Sequence, residues 1–413
     1  MTMAAEESSP AIGVPEPELT PEDLFDRARA IQPLLRQEQA RTQERGSPAP
    51  DAHEQLLRSG LYRIIQPRRY GGYEFSFEDS LKAVIEISRG CPSTGWHYAF
   101  MAEHGMLLST MFEEEAQLAS FGPDGDFLAP GRIPMGTATP VDDGWIVDGT
   151  WDYCSGAPYA THFLPSVLIP STDGPPVIGT AVLPREQWTM LDDWGGGLLG
   201  LAGSGSNSIT VEKQLIPSWA VVPRNPIALD VSTPPPGYEL HRNPLYAGRL
   251  LSLLVAELGA WSVGVAWAML DEYEQMMRTR QTMFPPKVMR FEHHDYLRNY
   301  GLALGYIDAA EAVVTRAAQL HLEFSKRGVD GGEAFSAEDD ARLMSRYQHA
   351  FQLSWQAVDL LFRTGGTSAA MRDSHAQRYY RDFSMARTHI GQQLESAAEG
   401  LARCHFGLPS MHG

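Results

Sequence analysis

The chain has 413 residues, of which 43% are hydrophobic, and this is enough apolar sequence for a substantial core and for two or three domains. Acidic residues outnumber basic ones and give a net charge of −18, which argues against a nucleic-acid partner because a phosphate backbone would be repelled. The three cysteines, Cys91, Cys154 and Cys404, have no CxxC spacing, so a disulfide framework or a structural zinc site is not indicated.

The N-terminal part is predicted to be a short leader followed by helices. Residues 1–19 are rich in Pro, Glu and Ser and lack a basic start followed by an apolar run, so we expect a disordered leader and no signal peptide. Thr20 before Pro21 is the pattern of a helix cap followed by proline at the first helical position. Helical periodicity resumes over 77–88 and 93–111, and we expect an N-terminal helical domain over 20–125.

Residues 126–232 have the pattern of a small β domain. Short β-branched runs alternate there with proline and glycine. Asp142-Asp143-Gly144 lies between two such runs and predicts a hairpin turn. The second strand of this hairpin leads into Gly149-Thr-Trp151-Asp-Tyr-Cys-Ser155-Gly156.

Residues 233–413 are predicted to form a helical bundle after a proline-rich linker. Long helical segments over 250–270, 291–324 and 337–362 are followed by one final helix whose apolar stripe runs from Phe383 to Leu401. The segment 250–270 is long enough to cross a bilayer, but its small residues and Glu257 favour a buried bundle helix and no membrane contact.

Three motifs near the C-terminus occur in a fixed order: Thr364-Gly-Gly-Thr-Ser368, Arg378-Tyr-Tyr-Arg-Asp382 and His389. With the segment that ends at Ser155-Gly156, and with the order of helical domain, β domain and bundle, they resemble the acyl-CoA dehydrogenase superfold over roughly residues 20–407. More narrowly, the chain is similar to the oxygenase components of two-component flavin-dependent monooxygenases, the 4-hydroxyphenylacetate 3-hydroxylase-like group D. The fold class that this implies is α+β, mostly α, with a central small β-barrel or sandwich and a C-terminal four-helix bundle.

The resemblance also implies a function. Reduced flavin, FMNH2 or FADH2, would bind between the β domain and the bundle and react with O2, and the flavin C4a-hydroperoxide would hydroxylate a phenol, an indole or a polycyclic natural product. The resemblance implies that a separate NAD(P)H:flavin reductase would supply the flavin. This is consistent with the segment Gly195-Gly-Gly197-Leu-Leu-Gly200, which lacks the following helix that a dinucleotide site needs. The expected protein is a cytoplasmic homotetramer, or a dimer.

Flavin contacts are expected from two sources. Ser155 would hold the flavin edge with Trp151 nearby, and the Ser204-Gly-Ser206 loop would lie next to them. The resemblance further suggests a phosphate-binding arginine and a glycine turn that reaches the flavin from a neighbouring subunit. These candidates are Arg280, Gly365, Gly366 and Thr367.

Two histidines and Ser155 are the expected catalytic residues. By resemblance, His389 lies on the final helix and faces the flavin near its oxygen adduct, and His104 lies on the substrate side, where it would bond to or deprotonate a phenol or an indole N–H. Trp96 and His97 are further substrate-side candidates, and His97 precedes His104 by two helical turns, so both could face one cavity.

Three alternatives stay open at this point. An FAD-dependent acyl-CoA dehydrogenase would need a glutamate base such as Glu257, because no carboxylate follows the glycine turn before Asp373. A member of the monooxygenase family that oxygenates nitrogen or sulfur, or a non-catalytic scaffold, is also compatible with the pattern. A metal site at Glu292-His-His-Asp295 is not expected, because consecutive residues on a helix point in different directions.

Overall fold

The N-terminal domain is helical, as predicted. The structure, a computed structural model, describes residues 12–122, 125–172 and 174–408, so residues 1–11 of the predicted leader lie outside the described part. Thr20 caps the first helix: its side chain accepts from the Asp23 N–H, and the Asp23 carboxylate accepts from the Thr20 N–H. The helices are α1 (Pro21–Arg45), α2 (Pro50–Arg58), α3 (Phe77–Gly90), α4 (Pro92–Met111) and α5 (Glu114–Phe121).

Helix α4 is the central helix of this domain. It begins directly after α3, since Cys91 is extended and Pro92 occupies its first turn. Every residue of α4 except Phe100 is buried. A helix that is buried on all sides must have packing partners on every face, and α4 therefore can present side chains to the β domain on one face and to the helical core on another.

The β domain is one eight-stranded sheet. Its strands are β1 (Gly131–Val141), β2 (Gly144–Trp151), β3 (His162–Ile169), β4 (Val177–Ala181), β5 (Leu183–Pro184), β6 (Thr189–Met190), β7 (Ile209–Ile216) and β8 (Val221–Val222). The order is β6-β7-β2-β1-β3-β4-β8, with β5 paired to β3; β1 and β3 run parallel and the other pairs antiparallel. The predicted hairpin is confirmed, because Val141 pairs with Gly144 across the two-residue loop Asp142-Asp143.

The C-terminal domain is a helical bundle built around one apolar helix. Its helices are α6 (Pro236–His241), α7 (Leu253–Thr279), α8 (His294–Val329), α9 (Ala337–Gly365), α10 (His375–Ala386) and α11 (Leu394–His405). Helix α7 packs against α8 and α9 and also against α3 and α4 of the first domain. It is long and apolar enough to span a membrane, but 89% of that apolar window is buried inside the protein. It is therefore a core helix, as predicted.

The predicted final helix over Phe383–Leu401 is wrong, because the chain breaks into α10 and α11. Helix α10 ends at Ala386, and a short 3-10 turn, Ile390–Gln392, separates it from Leu394. The apolar spacing in the sequence continues across this break through Ile390, although Ile390 is 65% exposed and does not belong to the core. His389 consequently lies in a cap between two helices and not on a helix.

Candidate active site

Three serine hydroxyls form a buried chain between the end of β2 and the loop that precedes β7. The Trp96 indole N–H donates to Ser155 Oγ at 3.0 Å, and Ser155 Oγ lies 2.8 Å from Ser206 Oγ. Ser206 Oγ lies 2.7 Å from Ser204 Oγ, which donates to the Leu201 carbonyl at 2.8 Å. The structure thus brings together the predicted residues Trp96, Ser155, Ser204 and Ser206.

Glycines hold the two segments of this serine chain together. The Gly156 N–H donates to the carbonyls of Ser204 and Gly205, and the Gly205 N–H donates to the Gly46 carbonyl at 2.8 Å. Gly156 has a φ of +91°, and a Cβ there would lie 2.4 Å from the Met101 methyl group. A residue with a side chain would therefore separate the Ser155 turn from α4, where Trp96 lies.

One face of α4 forms an aromatic wall next to the serine chain. Trp96, Phe100 and His104 follow one another at four-residue spacing, with ring centroids 5.2 Å apart for the first pair and 5.6 Å for the second. His389 contacts this wall, since its ring centroid lies 5.6 Å from Trp96 and 6.5 Å from Phe100. The two predicted catalytic histidines thus lie at one aromatic wall, His104 at its end and His389 beside Trp96.

The hydrogen bonds of His104 fix its tautomer. Nδ1 lies 2.8 Å from the Ala129 carbonyl, which can only accept, so Nδ1 carries the proton and Nε2 carries a lone pair in the neutral ring. Burial lowers the pKa of His104 to about 4, so the ring is neutral at pH 7. Gly131 lies directly against this ring: a Cβ there would be 2.9 Å from the imidazole Cε1 atom.

His389 has the opposite tautomer. Its Nδ1 accepts the Gly391 N–H at 3.1 Å, so in the neutral ring the proton is on Nε2, which becomes a donor. Burial, and to a smaller extent the positive charge of Arg132, lower the pKa of His389 to about 4. Arg132 is held in place by the Asp152 carboxylate at 3.0 Å and by the Asp152 carbonyl at 2.7 Å.

His97 lies away from the aromatic wall that includes His104, although the sequence suggested that both could face one cavity. The two residues are on similar faces of α4 but about 10 Å apart along its axis, so they meet different elements. The His97 ring contacts Tyr159 at 5.7 Å and His53 at 5.8 Å. Among the described residues, neither of its ring nitrogens has a partner within hydrogen-bonding geometry, although the Ser204 backbone is close enough to affect its pKa. His97 therefore lies behind the Ser204 loop.

Trp151 is a core residue, and its predicted contact with the cofactor is not supported. Its side chain is fully buried, its indole N–H donates to the Ser166 carbonyl, and its ring packs on Phe163. Sequence reasoning overlooked Tyr153, two residues later, which is 55% exposed at the same turn. The left-handed φ of Tyr153 (+54°) turns this ring outward over Arg132, and no sequence pattern indicated that conformation.

Arg381 and Asp382 anchor the loop that leads to Ser204. Helix α10 begins at His375, so both residues lie well inside it. Arg381 donates to the Leu199 carbonyl at 2.9 Å, and buried Asp382 accepts the Leu201 N–H at 2.7 Å. The bundle thus fixes the residue whose carbonyl ends the serine chain.

Replacing Asp382 with asparagine should change how stability depends on pH. Burial raises the pKa of Asp382 from 3.8 to about 6. A raised pKa means that its contribution to stability is present below pH 3.8 and is lost as pH rises through 6. Relative to wild type, Asp382→Asn should therefore gain about 2 kcal/mol in free energy of unfolding between pH 4 and pH 8, as measured by urea titration. A pH-independent difference would contradict this cause, since asparagine can still accept from Leu201.

The remaining predicted cofactor residues form a second location. Arg280 donates to the Ser368 hydroxyl beside Gly365, Gly366 and Thr367. This region borders a depression of about 70 Å³ that is also lined by residues of α7 and α9. Trp261, which contacts Trp96, precedes Arg280 by nineteen residues on α7, or about 28 Å of helix. Within one chain, the two locations are separate.

Glu257, the possible dehydrogenase base, is enclosed with another acid. It is 1% exposed, neither of its carboxylate oxygens has a hydrogen-bond partner in the described part of the chain, and Glu103 is close enough to help raise its pKa. Glu103 itself lies near the Ser80 hydroxyl of α3, and burial raises its pKa to about 8. The pair thus belongs to the interior between α3, α4 and α7. Among the described residues, no group of three or more His, Cys, Asp or Glu side chains could hold a metal ion.

Two family models match the chain. The N-terminal domain of acyl-CoA dehydrogenases matches residues 27–123, and the C-terminal domain of acyl-CoA dehydrogenases matches residues 256–394. Together they cover more than half of the chain and both helical domains. The β domain with its serine chain lies between the two matches.

Curated relatives and solved structures cover almost the whole chain. A pigment production hydroxylase from Rhodococcus is 27% identical over 95% of this chain and 98% of its own length. The oxygenase component of an FADH2-dependent resorcinol hydroxylase from Rhizobium is 28% identical over 93% of this chain and 94% of its own. The crystal structure of the 3-HSA hydroxylase from Rhodococcus superposes with a TM-score of 0.83 at 25% identity, covering 94% of this chain and 97% of that one.

Proposed function

We propose a function for this chain on the premise that it belongs to the acyl-CoA dehydrogenase superfamily and, within it, to the oxygenase components of flavin-dependent monooxygenases. It is a reduced-flavin-dependent monooxygenase that hydroxylates an aromatic small molecule. One of the relatives named above is a hydroxylase of resorcinol, which is a phenol. For this chain we propose a phenolic ring as the substrate.

The observation that carries the proposal is the meeting of three groups at one aromatic wall. Ser155 Oγ adjoins Trp96, His104 presents a lone pair, and His389 presents an N–H donor. The residues fit a flavin, because Ser155 Oγ keeps one lone pair free after its bonds to Trp96 and Ser206. Bound reduced flavin would supply the activation of O2 and the transfer of one of its oxygen atoms.

His104 is the proposed base. Its Nε2 lone pair can accept the proton of a phenolic hydroxyl placed against the Trp96–Phe100 wall, and the resulting phenolate is a better nucleophile for oxygen transfer. Its low pKa keeps the ring unprotonated at neutral pH and therefore ready to accept a proton. Gly131 leaves the space in which the imidazole lies.

His389 and Ser155 are the proposed groups on the flavin side. His389 would donate through Nε2 to an oxygen atom that develops negative charge, in an enclosure from which aromatic rings exclude water. Ser155 would hold the flavin edge. Tyr153, exposed over Arg132 at the same turn, is proposed as a ring that covers the flavin from outside.

The second location suggests an assembly. Because about 28 Å of helix separates Arg280 from Trp261, we propose that the Arg280 side chain and the Gly365-Gly366-Thr367 turn serve the flavin of a neighbouring copy of this chain. A homotetramer, or a dimer, would provide that neighbour. A separate NAD(P)H:flavin reductase in the same cytoplasm would supply the reduced flavin.

Incorporation of labelled oxygen tests the proposal. The protein is mixed anaerobically with FMNH2 or FADH2 and a small phenol such as resorcinol, and isotopically heavy O2 is then admitted. We expect one labelled oxygen atom in the hydroxylated product, detected by mass spectrometry, and none without protein. Reduction of bound oxidised flavin by an acyl-CoA thioester, with no labelled product from any phenol, would instead indicate a dehydrogenase.

A further inference from the structure

The serine chain has only one possible direction of hydrogen bonding. Its two ends are fixed, because the Trp96 indole N–H can only donate and the Leu201 carbonyl can only accept. Ser204 Oγ lies 2.8 Å from that carbonyl, a contact between two oxygens that requires a proton between them. The single hydroxyl proton of Ser204 is therefore used on Leu201.

The direction then follows along the chain. Since the Ser204 hydroxyl already donates its proton to Leu201, Ser206 must be the donor in the 2.7 Å hydrogen bond between Ser204 and Ser206. The 2.8 Å contact between Ser206 and Ser155 must in turn use the proton of Ser155. All three serines are at most 6% exposed, so water does not offer alternative partners from bulk. Ser155 is left with one unused lone pair and no free proton.

We propose that Ser204 and Ser206 act as positioning residues which make Ser155 an obligate hydrogen-bond acceptor, so that the site selects reduced over oxidised flavin. The inference rests on the proposed function, in which Ser155 holds the flavin edge. Reduced flavin carries an N–H at N5, whereas oxidised flavin has only a lone pair at that atom. The reduced form can donate to Ser155; the oxidised form would oppose one lone pair to another.

Hydrogen bonds to the backbone of Leu201 connect the serine chain to the helical bundle. The Leu201 carbonyl directs the whole chain, and the Leu201 N–H is bonded to the buried Asp382 carboxylate of α10 at 2.7 Å. The Ser204 N–H also donates to the Leu201 carbonyl, at 3.1 Å, which holds the acceptor in its orientation. The polarity of the chain is thus set by backbone groups and does not depend on any titrating side chain of the loop.

Binding of the two redox forms tests the proposal. Dissociation constants for FMN and for anaerobically prepared FMNH2 are measured by equilibrium titration for wild type, Ser206→Ala and Ser204→Ala. Without Ser206, the Ser155 proton is freed and can be donated outward; without Ser204, the Ser206 proton can turn to Ser155 and reverse its role. In both variants we expect FMN to bind about twofold to tenfold more tightly relative to FMNH2 than in wild type.

Two controls separate the possible causes. Ser155→Ala removes the acceptor itself, so it should weaken FMNH2 binding and reduce the preference for FMNH2 over FMN, whereas Ser208→Ala, a buried serine outside the chain, should leave the ratio unchanged. An independent readout is the midpoint potential of bound flavin, which should fall by up to about 30 mV in Ser206→Ala, the equivalent of a tenfold change for two electrons.

Each outcome decides between distinct conclusions. A ratio unchanged in both Ser206→Ala and Ser204→Ala, with folded protein and labelled product still formed, would overturn the inference and leave the monooxygenase function standing. If wild type bound neither flavin form, the proposed function and this inference would both fall. A reduced preference for FMNH2 over FMN in Ser206→Ala and Ser204→Ala, with unchanged thermal stability, would establish Ser204 and Ser206 as the source of the redox preference.

Discussion

Replacing His104 with phenylalanine is expected to lower kcat/KM for a phenolic substrate by about two to four orders of magnitude at neutral pH. Phenylalanine preserves the aromatic contact with Phe100 but removes the Nε2 lone pair that would accept the phenolic proton. Gly131, the strand residue that lies against the ring, has no side chain and so cannot supply another proton acceptor in place of His104. The rate is measured as hydroxylated product with reduced flavin supplied in excess.

A pH series shows whether the loss is one of proton transfer. A phenol ionises by itself near pH 10, so the deficit of His104→Phe should shrink as pH approaches that value. His241→Phe is the matched control, because His241 is also held neutral by burial and bonded, to Gln117, but lies outside the aromatic wall. A deficit that stays constant up to pH 10 would mean that His104 does not act as the base.

Replacing His389 with alanine is expected to divert most of the consumed oxygen into hydrogen peroxide, lowering product per O2 about tenfold to a hundredfold. The substitution removes the Nε2–H donor and opens the side of the enclosure next to Trp96 to water. Binding of reduced flavin should change little, because Ser155 and its hydrogen bonds remain. Product and peroxide are measured together against total oxygen consumed.

The exposed histidine of α9 provides the control for this prediction. His349→Ala removes a ring whose hydrogen bonds, within the described residues, go only to Ser345 of its own helix turn, and it should leave the ratio of product to peroxide unchanged. A parallel loss of flavin affinity and product in His389→Ala, with no increase in the peroxide fraction, would assign His389 to flavin binding instead.

Much of the fold could be predicted from sequence because its signals are local. The cap at Thr20, the hairpin at Asp142-Asp143 and the apolar length of α7 each depend on neighbouring residues, and the structure confirms all three. The end of α10 was not predictable in this way, because the apolar spacing continues through Ile390, which the structure nevertheless leaves exposed.

The site itself was predictable only in part. Motif order led to Ser155, Ser204 and Ser206, which the fold brings within hydrogen-bonding distance of one another. The sequence could not show that Tyr153, and not Trp151, is the exposed ring, because residue type does not indicate the left-handed conformation that turns Tyr153 outward. His97 and His104 lie on the same face of α4, but the sequence does not indicate which element of the fold packs against each turn of that helix.

The arrangement of α4 limits how this protein can acquire new substrates. One helix carries the tryptophan that bonds to the flavin-side serine, the aromatic wall and the base, so a shift of the helix made to fit a different ring would displace all three together. Gly131 at the start of β1 is constrained in the same way, because a Cβ there would lie 2.9 Å from the His104 ring. Selection for new substrates should therefore act on residues outside this face of α4, while the face itself changes slowly.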